Sequence, residues 1–215
     1  MKHLLKKEWR LTMPPMPLLF LLLSALVLVP NYPYYVTFFY TTLGVFFYFQ
    51  SARENRDTAY MLLLPVSKRQ MVRAKVLVVT ELELLQVVFC VPFLFLRARY
   101  AQIPNEVGIE ANVAFLGFGL LLLGIFNRIF LPMHFKNGYD IGKPFAVSSA
   151  ALLVGMLVLE SANHVVPYLN TTCDSYLPQD QIRQIPVLLG DLALYAVLTL
   201  FSLKRSEENF EKTDL

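Results

Sequence analysis

From Leu11 to Ala52 the chain carries no Asp, Glu, Lys, Arg or His, an uncharged run of 42 residues. As one helix it would reach roughly 63 Å at about 1.5 Å per residue, about twice the thickness of a bilayer core. The run therefore divides, and the turn residues of "PNYP", Pro30 to Pro33, mark where. Charged residues make up 16% of the whole chain, where soluble domains average about 25%. Composition alone places the chain in the membrane class.

Reading on with the same criterion predicts six spans, at residues 15–29, 34–50, 76–96, 112–131, 144–166 and 186–203. The fold class is an all-α integral membrane protein, with a single transmembrane domain over residues 1–215. Lys and Arg set the orientation. With the N-terminus inside, inner segments hold every Lys and Arg except Arg97, Arg99 and Arg183. That bias predicts both termini in the cytoplasm of a plasma-membrane protein. It also makes the basic balance a matter of topology beside anionic lipid, with no nucleic-acid partner. The N-terminus has a basic start and an apolar run from Leu18 to Val29, but no small-residue cleavage site follows, so an uncleaved span is expected. "KHLLKKEWR" reads as an amphipathic stretch with Trp9 at headgroup level.

The longest inner loop covers residues 51–75. Arg53 and Asp57 are four apart and can pair on one helical face. Pro65 ends that helix, and Ser67 with Gln70 makes a capping box for the next one. Topology alone asks for the basic residues. It does not ask for Glu54, Asp57 or the apolar "YMLLL". A short helix whose apolar side anchors to the bundle and whose charged side meets a soluble partner accounts for all of them.

Glu54, Arg56, Asp57 and "MLLLPVSKRQMVRAKVL" resemble the loop after the second span of ABC-2 type transporter permeases, particularly the small six-span permeases of Gram-positive bacteria. Glu54, Asp57, Leu63, Leu64, Pro65, Val66, Ser67, Arg69, Lys75 and Leu77 fit that pattern. "LPMHFKNGYDIGKPF" resembles the next cytoplasmic loop of the same family, through Lys136, Gly138, Tyr139 and Gly142, with His134 and Asn137 departing from it. The resemblance implies a coupling helix in the 51–75 loop that sits on a separate ATPase subunit. Arg53, Glu54, Arg56, Asp57, Leu63, Leu64, Pro65, Ser67 and Arg69 would line that interface. It further implies two ATPase subunits per complex and a second permease copy or a sister permease. No cofactor is expected on this chain, with ATP and Mg²⁺ held by the partner.

The residues themselves agree that ATP is not bound here. A phosphate loop needs Gly-x-x-x-x-Gly-Lys-Ser/Thr. "GYDIGKP" is one residue short and has Pro144 where the hydroxyl belongs. Enzyme signatures are missing too, and His3, His134 and His164 lie at ends or loops, which disfavours an intramembrane protease. A sensor or immunity protein without transport activity is the other reading. Glu160 and His164 share a helical face but lie near the outer end of the fifth span. Glu81 and Glu83 point to nearly opposite sides of the third, and pairing with Lys75 or Arg128 is expected for them. Arg128 and Asp191 lie near span ends, Arg128 snorkelling to the surface. Cys90 and Cys173 have no spacing that suggests a disulfide or a metal site. Gly117, Gly119 and Gly124, with Ala151 and Gly155, would let helices approach closely, within one chain or between two.

Overall fold

The computed structural model describes residues 1–100, 105, 107–138, 140–175 and 177–213, apart from the side chain of Pro178. The described residues form helices and connections only. In chain order these are α1 (Lys2–Lys7), α2 (Pro15–Leu21), α3 (Val36–Glu54), α4 (Asp57–Leu62), α5 (Lys68–Tyr100), α6 (Val113–Asn137), α7 (Gly142–Val165) and α8 (Pro178–Glu211). A π turn, Glu8–Thr12, extends α1, a 3₁₀ stretch, Leu22–Leu28, extends α2, and a second π turn, Leu169–Cys173, precedes α8.

α5, α6, α7 and α8 are long and apolar enough to cross a membrane, and they correspond to the third to sixth expected spans. The first expected span, 15–29, is helical over Pro15–Leu28 but short, and it is sharply bent from what precedes it. Pro14 and Pro15 break the chain, so α1 with its π turn meets α2 with its 3₁₀ stretch at 91°. Residues Pro15–Leu28 reach about 25 Å at helical rises, less than the roughly 30 Å of a bilayer core. Taken as one span, this bent pair makes a fifth. α3, over the second expected span, is not among them: its Thr and Tyr residues and its polar end from Gln50 to Glu54 dilute its apolar character. The protein is thus a multi-pass helical membrane protein with four or five candidate spans.

α6 is the central helix. Of its apolar stretch 72% is buried, against 17% for α7 and 22% for α8, which wrap it. Asn112 starts it, accepting from the Phe115 amide at 3.1 Å. Gly138 ends it at φ 70°, a left-handed cap that only glycine adopts without strain. Phe126 stacks on Phe130 at 5.1 Å and Phe130 on His134 at 5.9 Å, one helical turn apart each time, and Phe49 of α3 packs edge-on against Phe130 at 5.3 Å. The glycines serve approaches inside this one chain. Gly117 faces Leu188 and Asp191, and Gly124 faces Tyr195 and Leu198, all on α8. Gly155 of α7 faces Leu122.

The tightest approach is at Gly119, where the Phe38 ring lies 2.1 Å from where a Cβ would stand. Phe38 is fully buried and also packs on Phe115 at 5.1 Å, so it has nowhere to retreat. Gly119→Ala is expected to cost about 1–3 kcal/mol, the usual range for overpacking a core. Thermal unfolding in detergent should show the lower midpoint, and Phe38→Leu in the same chain should restore part of it.

Candidate functional site

α3 and α4 do not form one helix. The chain turns at Asn55 and Arg56, and Arg56 is left-handed at φ 50°. That turn separates Arg53 from Asp57 and swings Asp57 into the bundle. The expected Arg53–Asp57 pair is therefore replaced. The Asp57 carboxylate accepts from Lys7 and, at 2.7 Å, from Lys75. Lys75 also stands 3.5 Å from Glu8, whose other partners are the Tyr48 hydroxyl at 2.7 Å and Lys7 at 3.1 Å. Glu8, Tyr48, Asp57 and Lys75 are all buried. Four separate pieces of chain, from the α1 extension, α3, α4 and α5, thus meet in one ionic cluster. Burial pushes the Asp57 carboxyl up, and the Lys75 and Lys7 ammonium groups more than reverse this, leaving it below its ordinary value of 3.8.

The side facing out also differs from expectation. The charged side of α4 was expected to face a partner and the apolar side the bundle. Met61 and Leu62 do pack on the bundle, but Asp57 is buried with them, while Tyr60 is 59% and Leu63 84% exposed. Leu64, Pro65, Arg53, Glu54 and Arg56 are exposed with them, Glu54 held by Gln50 at 2.9 Å. The hydrophobic tip arises because α4 stops at Leu62, three residues before Pro65.

The capping box forms as read: the Ser67 amide donates to Gln70 Oε1 at 3.1 Å, and the Gln70 amide donates to Ser67 Oγ at 3.3 Å. Arg69 belongs to a second set of contacts. It makes a two-pronged pair with Glu211 of α8, at 2.6 and 2.9 Å, and Arg73 does the same with Glu207. Between α3, α4 and the ends of α5, α6 and α8 lies a cavity of about 310 Å³. Arg53, Arg56 and Ala59 line one side, and Phe135, His134 and Gly138 the other. This brings the two sequence patches to one place. Lys136 and Gly142 are exposed nearby in sequence, and Tyr139 lies outside the described residues.

The other singled-out residues lie away from this cluster. Glu81 accepts from Trp9 Nε1 at 2.6 Å, which pins the N-terminal arm to α5. Glu83 bonds to Asn127 and Tyr195, pairing with neither Lys75 nor Arg128. Arg128 is exposed. Glu160 accepts from the Ile109 amide at 3.1 Å, while His164 is exposed, so the two do not act together. Asp191 is buried against Gly117. No group of His, Cys, Asp and Glu able to hold a metal occurs among the described residues, and both cysteines are buried free thiols. Sequence reasoning missed Lys7, Glu8 and Tyr48, and it missed Arg97. Arg97 is fully buried, bonded to the Val27 carbonyl at 3.3 Å and Glu110 at 3.2 Å, and lies over the Tyr34 ring at 4.8 Å. Charge counting had treated it as an outer-loop cation.

A family model described as ABC-2 family transporter protein matches residues 3–207. The chain belongs to the ABC-2 transporter family. No curated protein and no solved structure matches it. As an ABC-2 permease the chain is a membrane transport component, of a kind that works with ABC ATPase partners.

Removing one member leaves the buried cluster with an unbalanced charge. Asp57→Asn or Lys75→Met alone should cost about 3–5 kcal/mol, and the double variant should recover much of the loss. Thermal unfolding of the three chains in one detergent measures this. Acid tests the same carboxylate from the other direction. Because its folded value is depressed, its contribution is complete above pH 3.8 and disappears as pH falls through the lower folded value. Wild type should lose stability in that acid range, and Asp57→Asn should lose less.

Proposed function

We propose that this chain is the membrane subunit of an ATP-binding cassette exporter, paired with a second copy or a sister permease and driven by two separate ATPase subunits. It sits in the plasma membrane with both termini in the cytoplasm. α3, though less apolar than the other helices, crosses as the sixth span, sheltered by its packing against α2, α5 and α6. α4 and the loop to Ser67 form the coupling element. The exposed tip at Tyr60, Leu63 and Leu64 enters the ATPase surface, with Arg53, Glu54 and Arg56 around it.

The observation that carries this reading is the buried junction of Asp57 with Lys75, Lys7 and Glu8. A helix pressed by a partner transmits force only if it is held firmly by the bundle. α4 has its apolar tip outside and its one buried charge locked to α5 and the N-terminal arm. Nucleotide binding in the ATPases would favour one of two bundle arrangements, and this junction passes the preference to α5. The direction of transport follows the family's habit.

Purification in mild detergent from the native cells, with a tag on this chain, tests the reading. A stoichiometric soluble ATPase should accompany it. Leu63→Asp with Leu64→Asp should release that ATPase while leaving the unfolding midpoint of the bundle unchanged, because both side chains are exposed. A monodisperse preparation with no ATPase would favour the sensor or immunity reading instead.

A further inference from the structure

Deep inside the helical bundle, Glu83 is an acidic side chain that no cation pairs with among the described residues. It is fully buried where α5, α6 and α8 meet. Its Oε2 accepts from Asn127 Nδ2 at 2.8 Å and from the Tyr195 hydroxyl at 2.7 Å. Its Oε1 accepts nothing, nor does Oδ1 of Asn127. Among the described residues no Lys, Arg or His pairs with it. Each of these unused buried acceptors leaves a desolvation cost uncompensated, which a donor or a positive charge would relieve.

Beside this group runs an apolar groove of about 510 Å³ between α5 and α8. Val76, Thr80, Leu84 and Leu203 are among its walls, and Tyr195 and Thr199 line it too. Tyr195 and Thr199 are the residues that connect it to Glu83. The Tyr195 hydroxyl touches the carboxylate, and Thr199 Oγ1 is 3.4 Å from Asn127 Nδ2. The groove opens sideways, on helices whose outer faces are apolar and exposed, so its contents come from the bilayer. Met1 and Arg73 sit at the end nearest α4, and Arg73 is already engaged by Glu207 at 2.5 Å. Glu83 is the carboxylate next to the groove that no cation holds among the described residues.

We propose that the α5–α8 groove is a binding site for lipophilic cations taken from the membrane, with Glu83 as the counter-charge. The apolar body fills the groove. The cation lies against the Tyr195 ring and Thr199, where the buried carboxylate attracts it through little intervening solvent. The site makes no use of α4 or of any partner, so it stands or falls separately from the coupling role.

The test uses the full chain in phosphatidylcholine nanodiscs, with radiolabelled tetraphenylphosphonium as probe and empty nanodiscs subtracted. Saturable binding is expected. Glu83→Gln, which keeps the shape and removes the charge, should weaken it by at least about tenfold. Ala196→Trp should do the same by filling the groove, because Ala196 lines it without touching Glu83. Tetraphenylborate, equal in size and opposite in charge, should not compete. Binding that is unchanged in both variants, or that tetraphenylborate displaces equally well, overturns the proposal and leaves an ordinary lipid groove. Should Glu83→Gln fail to fold, a hydrophobic carbodiimide on the wild type decides. Glu83 should be labelled, and tetraphenylphosphonium should block the labelling; labelling that it does not block overturns the proposal.

Discussion

The Asp57–Lys75 ion pair is the constraint on which the charged end of this molecule depends. A buried pair adds little net stability against an apolar alternative of the same shape. What it does add is register. Lys75 can satisfy Asp57 and Glu8 together only if α4, α5 and the N-terminal arm are in one arrangement, and Tyr48 then fixes α3 to the same point. The left-handed Arg56 fits this account. A non-glycine residue at positive φ costs about 1–2 kcal/mol, and the cluster supplies the offset by requiring the turn that points Asp57 inward. The exposed Leu63 and Leu64 lie just beyond it, past the end of α4 at Leu62, while Met61 packs inward beside Asp57.

Much of the fold was legible in the sequence because the bilayer imposes a length and an exclusion of charge. The four long helices fall where the apolar runs are, and Ser67 with Gln70 starts α5 as a local motif should. The first two spans were less legible. Pro14 and Pro15 set a 91° break between the basic Lys2–Thr12 and the apolar Pro15–Leu28, and hydropathy does not register a right-angled break. The site was legible by composition and misread by direction. Residues 51–75 do hold the junction, but a helical wheel over Arg53 to Leu64 presupposes one continuous helix. The break at Asn55 and Arg56 rotates everything after it. Lys7 and Glu8 were invisible for another reason. They are distant from the loop in sequence and were absorbed into a basic, amphipathic N-terminus. Arg97 shows the same limit: a charge near a span end counts as topology until the fold buries it against Tyr34 and Glu110.

Depth along α5 connects the pieces. Lys75, Glu83 and Arg97 are its three buried ionic residues. At about 100° per residue they fall within an arc of roughly 80°, all on the face turned to the bundle. Each binds a different neighbour: Lys75 binds α4 and the N-terminal arm, Glu83 binds α6 and α8, and Arg97 binds Val27 and Glu110. Between Lys75 and Glu83 the helix is uninterrupted, so a displacement of α4 reaches the three-helix junction at Glu83 along a stiff rod. Between Glu83 and Arg97 stands Pro92, which removes one backbone hydrogen bond and makes a place to bend. Arg97, caged and fully buried, then acts as the fixed end. For the coupling proposed above, a lever with a rigid arm toward the partner, a hinge beyond the middle and an anchored far end would deliver its motion at the middle. That is where Tyr195 and Thr199 close the groove over Glu83.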